Sequence, residues 1–201
     1  SSDVCSSDLV KIALIGSTMV GKTSLMVKYC KGTFSEDYIA TLGVQFLEKT
    51  INVKNTPVNI VIWDIGGQKN FMDMLNICCE GAHAMIFMFD LSNIKSLTAL
   101  RDWYKAAYQC NQTARVFLVG NKFDKYFELP EQERCAITNK AKKFANAIGA
   151  PLVYCSNTHS INVKKLFQIV IGSVFGLNVK VEKVDDPSKP EIGRASCRER
   201  V

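Results

Sequence analysis

Hydrophobic and polar positions along this chain follow two alternating patterns. Residues 11–15, 84–90 ("AMIFMFD"), 116–121 ("VFLVGN") and 151–155 ("PLVYC") are short, nearly unbroken apolar runs. Such runs mark strands covered on both faces. Residues 44–53 and 58–64 add two more strands, with a turn expected at Asn55-Thr56-Pro57. Between the strands, helical periodicity is expected near 22–29, 71–79, 96–110, 130–148 and 161–175. The last of these places Val163, Leu166, Phe167, Val170, Ile171 and Val174 on one stripe, as in a helix laid on a sheet. Six strands and five helices in this order predict an α/β fold. It is a doubly wound, mostly parallel six-stranded sheet with one antiparallel edge pair.

The two ends show neither period. Residues 1–9 ("SSDVCSSDL") and 191–201 ("EIGRASCRERV") resemble translated sequencing adapters and are expected not to be native. That leaves one globular domain over 10–178 and a polar tail over 179–190. Without those ends the charge balance is 22 basic against 15 acidic residues, a net +7. The excess is scattered, with pairs such as Lys142-Lys143 and Lys164-Lys165 read as solvated helix faces. No basic stripe interleaved with aromatics is present, so nucleic acid is not an expected partner. Cys30, Cys78, Cys79, Cys110, Cys135 and Cys155 lack metal-ligand or disulfide spacing and are expected to be reduced, buried thiols. No apolar run reaches the roughly 18 residues of a membrane span, which points to a soluble chain.

Candidate chemistry begins where the first strand ends. Gly16-Ser17-Thr18-Met19-Val20-Gly21-Lys22-Thr23 fits G-x-x-x-x-G-K-[ST] between a strand and a helix. In that context it is a phosphate cradle, with Ser24 counted as part of the nucleotide site. Backbone N–H groups and the helix dipole face the phosphates, Lys22 neutralises the terminal ones, and Thr23 offers a hydroxyl to magnesium. Asn121-Lys122-Phe123-Asp124 follows another strand, at the end where such sheets bind ligands. The Asp124 carboxylate can accept both N–H donors of guanine's N1/N2 edge; adenine would leave it unpaired. Trp63-Asp64-Ile65-Gly66-Gly67-Gln68 ends a third strand. There Asp64 can hold a magnesium-bound water, Gly67 can donate its N–H to a γ-phosphate, and Gln68 can orient an attacking water.

Together these three motifs resemble the Ras superfamily of small GTPases, over residues 10–177. The resemblance implies a P-loop GTPase fold binding GTP, GDP and Mg²⁺, with Thr23, Thr41 and Asp64 around the metal. It places Phe34 against the guanine, Tyr38 over the γ-phosphate and Thr41 as the GTP-sensing threonine. Residues 31–43 and 65–76 become two switch segments, ordered by the γ-phosphate. Cys155-Ser156-Asn157-Thr158 stands in the place of the family's Ser-Ala-Lys loop behind the base. With Ser156 and Asn157 there, backbone contact to the guanine oxygen would persist, but the lysine support is missing and base affinity is expected to be lower.

Two features predict slow hydrolysis. Thr18 is branched where many relatives carry glycine or serine, and no arginine lies between Lys31 and Thr41. Fast turnover would then need an activating protein that supplies an arginine finger. At finer level, "WDIGGQKNFMDMLNICC" and "HSINVKKLFQIV" resemble the septum-promoting, mitotic-exit GTPases of fungi and their amoebal and plant relatives. That resemblance implies a cytoplasmic switch at the spindle pole or centrosome, with an exchange factor and a protein kinase effector. "TLGVQF" keeps open a Rab-like traffic GTPase, whose lipid would need C-terminal cysteines. The sole C-terminal cysteine, Cys197, lies in the adapter-like stretch, so membrane anchoring stays open. A GTP-bound scaffold with little hydrolysis is the third alternative. His83 and His159 have no ligand-spaced partners and are read as hydrogen-bonded or surface residues.

Overall fold

The computed structural model of the chain describes residues 9–35, 39–177 and 192–193. Strands β1 (Leu9–Ile15), β3 (Thr56–Ile65), β4 (Ala84–Asp90), β5 (Arg115–Asn121) and β6 (Leu152–Tyr154) pair in parallel. β2 (Val44–Val53) runs antiparallel to β3 at one edge, and β7 (Ile192–Gly193) runs antiparallel to β6 at the other. The order is β2-β3-β1-β4-β5-β6-β7, which is the predicted six-stranded, mostly parallel sheet with the two-residue β7 added at one edge. The two residues of β7 fall in the stretch that its composition set aside.

Alternation along the inner strands explains why their apolar runs are continuous. Ile12 and Leu14 of β1 and Ile86 and Met88 of β4 face Leu25 and Met26 of α1 (Lys22–Lys31) and Leu166 and Phe167 of α6 (Val163–Val174). Ala13, Ile15, Phe87 and Phe89 face the other way. They pack on Leu97, Leu100 and Trp103 of α3 (Ile94–Cys110) and on Ile137 and Ala141 of α5 (Glu131–Ala147). Every second strand residue thus serves a different helical layer. The parallel strands all end on one side of the sheet, which gathers the four loops described below.

Several boundaries differ from those expected. The β2–β3 turn is Lys54-Asn55, both with positive φ, and not Asn55-Thr56-Pro57. Two residues in that conformation make a turn whose twist matches its strands, and Pro57 sits at the start of β3, before β1 joins at Asn59. The helix expected over 71–79 is a 3₁₀ turn, Lys69–Met74, followed by a five-residue α2, Leu75–Cys79. None of residues 69–74 is fully buried, although Phe71 and Met72 pack partly against the core, whereas Leu75, Cys78 and Cys79 are buried, so packing is strongest in the second half. A short α4, Phe123–Tyr126, was not expected; its two buried rings stack 5.7 Å apart. Lys142 is buried rather than lying on a solvated face.

The cysteines are also less uniform than expected. Cys78, Cys79 and Cys155 are buried, Cys30 and Cys110 are half-buried, and Cys135 is exposed; all six are free. Burial pushes the Cys78 thiol up to about 11 and that of Cys79 to about 12, which keeps the neighbouring pair protonated and unreactive.

Phe167 is fully buried and stacks on Tyr29 with ring centroids 3.7 Å apart, joining α6 to α1. Phe167→Ala should cost about 3–5 kcal/mol, read as a lower urea midpoint with the slope unchanged.

Candidate nucleotide site

A cleft of about 730 Å³ opens at the C-terminal ends of the strands, a size suited to a small ligand. Thr18, Met19, Gly21, Lys22, Thr23 and Ser24 form its floor. Phe34, Thr41, Gly67 and Gln68 stand on one wall; Asn121, Lys122, Asp124 and Asn157 stand on the other. Gly16, Ser17, Val20, Asp64 and Ser156 do not line the cleft but support those that do. Tyr38 lies outside the described residues.

The floor follows from the β1–α1 junction. Lys22 folds back over the loop, its Nζ donating to the carbonyls of Gly16 and Ser17, each at 2.8 Å. Burial lowers the Lys22 ammonium to about 8, while the nearby Asp64 carboxylate acts in the opposite sense. A phosphate would replace these carbonyls as partner and restore the full charge.

Beneath the floor lies a cluster of oxygens. Thr23 Oγ1 donates to Asp64 Oδ2 at 2.5 Å and lies 2.9 Å from Thr41 Oγ1. Gln45 Nε2 reaches Thr41 Oγ1 and Asp64 Oδ2, both at 3.3 Å. Asp64 is fully buried, and its Oδ1 has no hydrogen-bond partner. Burial raises the carboxyl's pKa, opposed by Lys22 and by hydrogen bonds from Thr23, Gln45 and Thr41. An orphaned buried carboxylate oxygen beside two hydroxyls fits a hard cation that keeps much of its hydration shell. Magnesium does so, taking one or two carboxylates and completing its shell with phosphates.

The two expected switch segments touch here through glycine. Gly66 N donates to Gly43 O at 2.8 Å. A Cβ on Gly66 would fall 2.6 Å from the Thr41 carbonyl, and one on Gly67 would overlap the Ser17–Thr18 backbone. Side chains at either position would hold the segments apart from each other and from the cradle.

The opposite wall is built from loop-to-loop bonds. Asn121 Nδ2 donates to Val20 O at 2.8 Å. Ser156 Oγ donates to Asp124 Oδ1 at 2.6 Å, which fixes the carboxylate expected to read the base. Lys122, in the left-handed conformation, pairs with Asp90 at 2.7 Å. Asp90 and Gln45 were missed from the sequence. Each is a direct register partner of a motif residue, Asp90 of Asn121 and Gln45 of Asp64, so strand pairing was the available signal. His83 accepts from the Lys11 backbone N–H at 3.1 Å, and the backbone N–H of His159 donates to Ser156 Oγ at 3.1 Å.

A sequence profile of the Ras family matches residues 11–175. The chain belongs to the Ras family. Its relatives include the septum-promoting GTP-binding protein 1 of Schizosaccharomyces pombe, 43% identical over 90% of this chain and 91% of that protein. The GTP-binding protein YPTM1 of Zea mays is 31% identical over 79% and 74%, and the human Ras-related protein Rab-3D 29% over 94% and 90%. Ras-family proteins are GTPases that bind GTP and GDP.

For this Ras-family chain the Lys22 environment makes binding pH-dependent. The ammonium loses its proton near pH 8 in the free cleft and regains it against phosphate, so GDP affinity should be flat below pH 8 and fall above it. Calorimetry at pH 8.5 in buffers of different ionisation enthalpy should show uptake of about half a proton or more. No uptake, or release, would contradict this assignment.

Proposed function

We propose that this protein is a GTP-operated switch for septation or cytokinesis, with a protein kinase as effector and a cytoplasmic site of action at the spindle pole or centrosome. The observation that carries the reading is the 43% identity, along nearly the whole of both chains, to a relative whose name is septum-promoting. The traffic-type relatives lie near 30%.

In this reading Thr23, Thr41 and Asp64 would hold Mg²⁺, which would supply charge neutralisation to the phosphates of the bound nucleotide. Lys22 neutralises the same phosphates, Asp124 selects guanine, and Gln68 orients the attacking water. Gln68 is exposed, and Thr18 lines the cleft near it. The branched Thr18 side chain takes room that Gln68 and an incoming arginine would use, and no arginine in residues 31–41 can replace one from a partner. Intrinsic hydrolysis is therefore slow, on the order of 10⁻⁴ to 10⁻³ per second, until an activating protein inserts an arginine. An exchange factor then restores the GTP form.

Single-turnover hydrolysis of preloaded GTP should stay below about 0.1 per second and rise at least a thousandfold with an arginine-finger protein. A persistent lack of response would favour the static GTP-bound scaffold, for which the Thr18 position is the motive. To separate division from traffic, Gln68→Leu protein loaded with GTP or GDP would be incubated with dividing-cell lysate. A protein kinase and spindle-pole proteins should be enriched on the GTP form; vesicle tethers or motor adaptors there would move the chain to the traffic branch, which "TLGVQF" favours.

A further inference from the structure

Two consecutive carbonyls of the phosphate cradle are held from across the cleft by asparagine amides. Asn121 takes the Val20 carbonyl at 2.8 Å, and Asn157 Nδ2 takes that of Gly21 at 2.9 Å. Asn121 belongs to the base-reading tetrad. Asn157 does not; it stands where this chain departs from the Ser-Ala-Lys pattern, and an alanine has no donor to make such a bond.

The Gly21 carbonyl is also the first acceptor of α1, taking Leu25 N at 2.9 Å. The second donor therefore lands on the joint between cradle and helix. A Cβ on Gly21 would fall 3.0 Å from Asn157 Nδ2 and closer still to the Asn121 amide, so the glycine is what admits both clamps. Asn157 is only 4% exposed, and its Oδ1 is buried with no partner. An apolar side chain would fill that space without stranding an acceptor, so simple packing does not account for the amide. The neighbouring Ser156 bonds the Asp124 carboxylate at 2.6 Å. Adjacent residues of one loop thus reach the base-reading group and the phosphate-holding loop.

We propose that Asn157 is a positioning residue that couples the base loop to the phosphate cradle and slows nucleotide release. The inference rests on the nucleotide-binding reading of the cleft. Withdrawal of the base loop breaks the bond to the Gly21 carbonyl, and movement of the cradle pulls on the loop that holds Asp124. The clamp works in place of the lysine support that Thr158 does not provide.

The test is release of a fluorescent GDP in magnesium buffer from the full chain, from Asn157→Ala and from Asn157→Leu, which keeps the branching at Cγ without the amide. Loss of one hydrogen bond predicts release about three- to tenfold faster in both variants, with the association rate and the titre of binding sites unchanged. Release at the wild-type rate in both would overturn the proposal. So would acceleration in the alanine variant alone, which reports a cavity rather than a lost donor, or a fall in binding titre without faster release, which reports damaged folding. A wild-type chain that fails to bind GDP would overturn the nucleotide reading itself, a result distinct from all of these.

Discussion

A buried carboxylate with one oxygen bonded and the other bare is the constraint on which the rest of this structure depends. Burial raises the pKa of the Asp64 carboxyl, and the protein opposes that with Lys22, two threonine hydroxyls and an amide from Gln45. Burying a carboxylate without full compensation costs several kcal/mol, a deficit that hydration water on a cation and the charge of a bound ligand can settle. Thr23 comes from the cradle helix, Thr41 and Gln45 from the first switch segment and the strand after it, and Asp64 from the strand before the second. One electrostatic deficit therefore draws together the cradle and the flanks of both segments expected to respond to a γ-phosphate. In a switch, the free-energy difference between states must come from contacts made in one state only.

The sheet makes this convergence possible. Parallel strands covered on both faces pair their own backbone groups and leave loops as the place for free ones, and the site-bearing loops gather at one side of the sheet. Bonds between those loops, from Asn121 and Asn157 to the cradle and from Ser156 to Asp124, then turn separate turns into one wall. Glycines at 66 and 67 set how closely the two segments expected to switch can approach each other and the cradle.

Much of this was legible in the sequence, because the signals were local. Unbroken apolar runs marked the inner strands, the α6 stripe marked its buried face, and the G-x-x-x-x-G-K-[ST] spacing marked the cradle between β1 and α1. Features that depend on distant partners were not legible. The Asn157–Gly21 bond spans 136 positions with no local signal, and the Lys122–Asp90 pair spans 32 and shows only once β4 is registered against β5. The hairpin moved one residue toward its N-terminus because an αL-αL pair at Lys54-Asn55 suits strand twist better than a proline-centred turn. The α-helix after Gln68 begins only at Leu75, where burial becomes complete; Phe71 and Met72 before it pack only partly against the core. In each case tertiary packing or turn geometry outweighed local propensity.

The central claim is that one ligand group decides whether both segments beside Asp64 are ordered. Amide hydrogen exchange on the chain loaded with Mg²⁺ and either GDP or a non-hydrolysable GTP analogue measures this directly. Residues 31–43 and 65–76 should exchange more slowly in the analogue form, while α3 and α5 stay unchanged. Equal exchange of both segments in the two forms would contradict the account.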